Sequence, residues 1–164
     1  MGNKMTLLIA TAIGDLSLEI EGQSLMSLTI NEKKAANKDA ITLSSEKTGS
    51  LADILPTQIN KYFTSASDFK NIQLTPQGTE FQKSVWKELS RIPVGETRTY
   101  GDIAKKLNSS ARAVGNACRR NPIAIIVPCH RVISATGLGG YAGETQGQKL
   151  DTKRWLLKHE GAIE

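Results

Sequence analysis

The chain is poor in everything that staples a small fold covalently or through metal. Its 164 residues hold two cysteines, with ten residues between them, and two histidines. That is no disulfide framework, and a reducing compartment, the cytoplasm, is the simpler expectation. Cys129 and His130 are adjacent, but neighbours on an extended chain diverge, and no C-x-x-C or H-x-x-x-H spacing exists, so neither a metal nor another cofactor is expected. No apolar run approaches membrane-spanning length. Met1-Gly2 with Thr6 fits a loose acylation pattern and Ala10-Thr11-Ala12 a processing site, but the apolar stretch before Ala12 is too short for a signal core, and both are set aside. A chain of this length buries a real core, on the order of 70% of its unfolded surface, without any staple.

Arginine is missing from the first half. Residues 1–78 carry seven lysines against eight acids, a net of −1, whereas residues 79–164 carry fourteen Lys or Arg, including all seven arginines, against eight acids, a net of +6. A near-neutral segment joined to a basic one points the latter at a polyanion, nucleic acid first.

From Met5 to Ile30 short strands alternate with turns: Thr6–Ala12, then Leu16, Leu18 and Ile20 spaced by polar residues, then Leu25–Ile30. Gly14-Asp15 and Gly22-Gln23 punctuate them, which predicts an antiparallel meander with one wet face. A further irregular strand is expected at Ala40–Leu43. Leu55, Ile59, Tyr62 and Phe63 have helical spacing, and because Pro56 is tolerated best in a first turn, that helix is expected to start near Leu55. No titratable cluster occurs here. Ser65–Gly78 is a polar connector, and the domains are placed at 1–75, a scaffold, and 76–164, which carries the chemistry.

Thr79 opens a helix with Gln82 as its capping-box partner and Phe81, Val85, Trp86 and Leu89 as the apolar stripe. Thr99 caps another, with Tyr100, Ile103, Ala104 and Leu107 on one face. Asn108-Ser109-Ser110 turns and recaps, and Ala111–Arg120 forms a second short helix. Two short helices on a tight turn read as a helix-turn-helix. On the second, Ala111, Val114 and Cys118 share a core side, while Arg112, Gly115, Asn116 and Arg119 share another, charged at the ends and bare in the middle, so that the backbone could approach a surface closely.

Asn121-Pro122 breaks that helix and leads into Ile123–Val127, a continuous apolar run read as a short strand covered on both faces. Pro128 ends it, and Cys129, His130 and Arg131 follow: a thiol, a base and a cation in succession. A DNA-docking helix coupled directly to a reactive thiol suggests chemistry on DNA. A base inside a duplex could not reach such a thiol, so the target nucleotide would be extruded, and Arg112 is long enough to fill the gap. Tyr141, in a glycine-rich loop, could wall a base pocket. A last helix is expected at Lys153–His159, with Gly161 beyond it. Glu160, an acid at the unfavourable end of that helix dipole, would be explained if it orients His130.

These residues resemble a known family. Pro128-Cys129-His130-Arg131, with Arg112-Ala113-Val114-Gly115, Asn121-Pro122, Gly78-Thr79-Glu80-Phe81-Gln82, Val85-Trp86 and Ile92-Pro93-Val94-Gly95, is similar to the O6-alkylguanine-DNA alkyltransferases (methylated-DNA-protein-cysteine methyltransferases) over about Thr75–Gly161. The resemblance implies an α+β fold: a small N-terminal domain with antiparallel sheet and helix, then a helical C-terminal domain with a helix-turn-helix and a short active-site strand. It implies a monomer, with several molecules able to share one DNA, that binds duplex DNA through the minor groove and flips an O6-alkylguanine. The alkyl group then passes irreversibly to the protein's own cysteine. By motif position Cys129 is the acceptor, His130 the base acting through a water, Glu160 its orienter, Asn121 a hinge, and Tyr100 a hydroxyl that contacts the guanine. Arg112, the finger, with Ala113, Gly115, Asn116 and Arg119 forms the DNA face, and Tyr100, Val132, Tyr141, Ala142, Gly143 and Lys153 the substrate pocket. Two departures stand out. Extra residues lie within Glu144–Leu150, beside the pocket, and the zinc of some members has no ligands here, since no Cys or His precedes Cys118. Alternatives are a non-enzymatic sensor of alkylated DNA, against which Cys129 itself argues, a Cys-His hydrolase, or a plain helix-turn-helix DNA binder with a buried thiol.

Overall fold

The computed structural model describes residues 3–31, 49–141 and 146–164, so the strand expected at Ala40–Leu43 lies outside the described residues. The chain divides into two compact units, Met1–Pro76 and Gln77–Glu164.

In the first unit β1 (Lys4–Thr11), β2 (Gly14–Glu21) and β3 (Ser24–Asn31) form an antiparallel sheet in the order β1-β2-β3. Alternation sets the faces: Leu16, Leu18 and Ile20 of β2 are buried, whereas Glu19 between them is exposed. The register slips between Glu19 and Ile20, a bulge in an otherwise regular ladder. Beyond the helix the chain returns to β3, where Leu25 N–H donates to Gln73 O at 2.9 Å and Thr75 N–H to Leu25 O at 3.0 Å. The helix, α1, runs Leu51–Ser65, four residues longer at its start than Pro56 suggested. Proline forfeits one backbone hydrogen bond there, but Leu51, Leu55, Ile59 and Tyr62 all bury on one face, and that burial outweighs the loss.

The second unit contains α2 (Glu80–Leu89), β4 (Arg98–Thr99), α3 (Tyr100–Leu107), α4 (Ala111–Arg119), β5 (Val132–Ile133) and α5 (Gln148–His159). Each start is chemically signed. Thr79 and Gln82 close a reciprocal capping box on α2, Thr99 and Asp102 close another on α3, and the Ser110 hydroxyl accepts from Ala113 N–H at 3.1 Å on α4. Asn108 supplies the left-handed residue, φ 53°, that lets α3 turn into α4. Trp86 locks α2 to α4 by donating from its indole nitrogen to Ala117 O at 2.8 Å. Gly78 makes room for that ring, since a Cβ there would lie 2.4 Å from it. Phe81 leaves the expected stripe and is 37% exposed, because α2 presents Val85, Trp86 and Leu89 inward. The α+β class, the antiparallel meander and the helix-turn-helix are all present.

The short active-site strand is a correction. Ile123–Val127 is a turn, not a strand. Ile125 takes a left-handed φ of 69°, Val127 N–H donates to Ile123 O at 3.1 Å, and the Asn121 amide spans the segment, donating to Val127 O at 2.8 Å and accepting from Ile123 N–H at 3.0 Å. Ile123, Ile125 and Val127 are all buried. An unbroken apolar run reports burial but not the conformation that achieves it. The strand that does exist, β5, follows the cysteine and pairs in parallel with β4. α5 likewise begins at Gln148, five residues before the expected start, so the far end of the Glu144–Leu150 insertion is its first turn.

Candidate active site

Cys129, His130 and Arg131 form a single 3-10 turn between the Asn121-braced segment and β5. β4 fixes that turn against the start of α3, because Arg98 and Thr99 pair with Val132 and Ile133. Tyr100, the first residue of α3, and the Cys129 turn are thus tied within a few residues of each other on two paired strands. α4 runs directly into Asn121, which ends six residues before the chain reaches Val127, the carbonyl it holds.

The Cys129 thiol is buried, and burial is the dominant influence, pushing it above the ordinary thiol range. Hydrogen bonding from Asn121, the Lys153 ammonium and hydrogen bonding from Tyr141 oppose that, in that order among side chains. Cys118, on the core side of α4, is also pushed up by burial and is free, as is Cys129.

His130 is fully buried, and its Nε2 lies 2.9 Å from Glu160 Oε2. An ionised Glu160 makes Nε2 the donor and so places the neutral ring's lone pair on Nδ1, which has no hydrogen-bond partner among the described residues. Burial holds His130 below the usual imidazole range, with Glu160 pulling upward against it. Arg131 does not serve the thiol. Its Nε donates to Glu160 Oε1 at 2.8 Å, its Nη2 to Oε2 at 2.9 Å, and its Nη1 to Ile92 O at 2.6 Å.

The cation that acts on the thiol is Lys153 of α5, fully buried, whose Nζ donates to Val132 O at 2.6 Å and Gly140 O at 2.9 Å. Burial lowers it to about 8. Its bottom-up signal is weak, because a lysine in a helical run is ordinarily solvated; motif position alone put it in the pocket. Tyr100 stands over the same feature: its hydroxyl donates to Gly140 O at 3.4 Å, and Lys153 Nζ lies 5.9 Å from its ring centroid. Burial raises Tyr100 to about 12, so it remains a donor at neutral pH. Gly139, at φ 73°, lets the loop pass the Tyr100 ring, where a Cβ would come to 3.1 Å. Val132 and Tyr141 are buried beside these groups in the chain, whereas Ala142 and Gly143 lie outside the described residues.

On α4, Arg112, Asn116 and Arg119 are exposed and Ala113 is half-buried. Gly115 is not the bare spot of that outer face, since a Cβ there would meet the Tyr100 ring at 4.0 Å, so the position looks toward α3. The outer face continues into a depression of about 520 Å³ lined by residues that include Phe81, Ala113, Asn116, Arg119 and Arg120, which is where the exposed Phe81 sits. Among the described residues no cluster of three potential metal ligands occurs, and no helix is long and apolar enough to cross a membrane.

The chain is similar to several known proteins. A methylated-DNA-protein-cysteine methyltransferase of Methanosarcina acetivorans is 56% identical over 108 residues, covering 64% of this chain and 66% of its own length. One of Methanosarcina mazei is 58% identical over 106 residues, covering 63% and 64%. The alignment thus spans just under two thirds of these relatives. The crystal structure of Mycobacterium tuberculosis O6-methylguanine methyltransferase superposes with a TM-score of 0.78 at 39% identity, covering 98% of this chain and 94% of that one. The same organism's OGT in complex with DNA gives 0.77 at 40%, covering 96% and 92%. Residues 80–162, α2 to just past Glu160, match the family described as 6-O-methylguanine DNA methyltransferase, DNA binding domain. The chain belongs to that family.

Proposed function

We propose that the chain repairs alkylated DNA by moving the alkyl group of an O6-alkylguanine onto Cys129, once per molecule. α4 would lie in the minor groove with Arg112, Ala113, Asn116 and Arg119 against the DNA, and Arg112 would occupy the space of the flipped nucleotide. Gly115 would support that face from behind, through Tyr100. In the pocket the Cys129 sulfur attacks the alkyl carbon, a carbon–sulfur bond forms, and the carbon–O6 bond breaks with its electron pair passing to guanine. The thiol proton leaves by way of His130, acting through a water, and guanine takes one up, so protons balance with no cofactor. Tyr100, held protonated, donates to the ring as its negative charge develops. Asn121 joins α4 to the reactive turn, and Lys153 supports the thiolate. The thioether has no route back.

The observation that carries this reading is the coupling of α4, through the Asn121 amide, to a turn whose cysteine lies next to a histidine bound to Glu160. The expected protein is a monomer of the cytoplasm, where both thiols stay reduced, with residues 1–75 as scaffold and 76–164 as the reacting domain.

Protein mixed with duplex DNA carrying radiolabelled O6-methylguanine should take up at most one label per molecule, on Cys129. Cys129→Ala should lose uptake entirely and still bind the DNA. Label on Cys118, or none at all, would reject the mechanism, and DNA binding without uptake by the wild type would mark a sensor. Arg112→Ala should slow repair of duplex substrate by tenfold or so, a loss on the order of 1.4 kcal/mol in transition-state stabilisation, while sparing single-stranded substrate; equal slowing of both would remove the finger role.

A further inference from the structure

Arg131 has so far no task in the reaction, yet it is bound on every side. Nε and Nη2 take the two oxygens of Glu160, and Nη1 takes Ile92 O. Oε2 of that carboxylate also faces His130 Nε2 at 2.9 Å. Arg131 is 6% exposed, His130 0% and Glu160 7%, so the three meet away from water, where charges act strongly.

A carboxylate alone at this distance would favour imidazolium. A protonated His130 could accept nothing from the thiol, so an orienter that is too strong would disable the base it orients. Arg131 resolves the conflict geometrically. Its planar fork spends both carboxylate oxygens and fixes their plane, which a point-charge ammonium would not do.

We infer that Arg131 is a positioning residue: by gripping both oxygens of Glu160 it keeps that carboxylate aimed at Nε2 while offsetting its charge, so that His130 stays neutral with Nδ1 free to accept a proton. This rests on the proposed role of His130 as base. The charged groups acting on His130 among the described residues are Glu160 and Lys153 from α5 and its end and Arg131 from its own turn; α2, packed against the same turn, contributes none. Of these only Glu160 favours the imidazolium, and it is the strongest of the three; the balance nonetheless lies on the neutral side, with burial the largest influence and Arg131 ahead of Lys153 among the charges that oppose Glu160.

Two readouts test this, one of them independent of alkyl transfer: the imidazole titration of His130 by NMR in the free protein, isolated with His159→Gln, and the acid limb of the pH–rate profile for label uptake. In Arg131→Met both should move up by about one pH unit or more. Arg131→Lys should move less. Arg131→Met with Glu160→Gln, which keeps the fold testable if an unpaired buried carboxylate unfolds the single variant, should return the titration to wild type or below. An unshifted His130 titration in Arg131→Lys or the double variant's parent, or a rate lowered equally at every pH, would overturn the inference. If wild type takes up no label while the His130 titration still shifts, the functional reading fails and the role of Arg131 stands.

Discussion

The two units bury different things. Among the described residues Met1–Pro76 buries aliphatic side chains and Tyr62, and keeps its acids and lysines at least partly in water, whereas Gln77–Glu164 buries His130, Arg131, Lys153 and Glu160 beside two free thiols. Burying ions is costly, and a well-packed apolar cluster of equal volume is often as stable or more so. A fold that needed only stability could have been built throughout like the first unit. The buried ions of the second are therefore what the proposed reaction would use, and the apolar first unit offers it no charged group out of water among the described residues.

This contrast can be broken from either side. The largest effect is expected at Glu160→Ala, which strands Arg131 and His130 without their carboxylate; urea denaturation should show a loss of about 3–5 kcal/mol. A loss under 1 kcal/mol would mean that the network is not buried in any energetic sense. On the other side Leu18→Ala, at 0% exposure in β2, should cost about 2–4 kcal/mol by opening a cavity. Label uptake per folded molecule should stay at the wild-type level, and a selective loss of uptake would give the scaffold a part in the reaction. The smallest effect sharpens the contrast. With Lys153 held to about 8 against 10.5 unfolded, the unfolded chain binds more protons between those values. Relative to Lys153→Met, wild-type stability should therefore rise as pH climbs from 8 toward 10.5, and a flat difference in urea midpoints would show Lys153 to be solvated. Taking the difference matters, because Tyr100 and both thiols are raised and act in the opposite sense over the same range.

How much of this the residues announce depends on how far apart the partners are. Thr79 with Gln82 and Ser110 with Ala113 are three residues apart, and side chains that cap a helix do so wherever the chain permits, so these starts are readable directly. The meander follows from alternation. Arg131 and Glu160 are 29 residues apart and Lys153 and Val132 are 21 apart, and no local pattern links them. Its place at the unfavourable end of a helix dipole singled out Glu160 and the motif resemblance placed Lys153, but both left Arg131 beside the thiol, where adjacency in sequence had put it. The turn at Ile123–Val127 escaped for another reason: its apolar residues are buried as expected, while the backbone route was chosen by the Asn121 amide, whose two bonds are visible only once the loop has closed.

Ile125 carries the price of that closure. A β-branched residue at φ 69° costs roughly 1–2 kcal/mol against its preferred backbone, and a glycine would remove the cost. Yet the side chain is only 1% exposed, and burying an isoleucine contributes about 1.5–3 kcal/mol. The strain offsets part of what burial contributes, but a glycine would also leave a cavity and lose more backbone entropy on folding, so isoleucine remains the more stable residue at this position. The two also differ in rigidity. A glycine would widen the range of shapes open to the loop before Cys129, and an isoleucine narrows it to one, so the residue that looks least suited to its backbone is the one that keeps the sulfur from wandering.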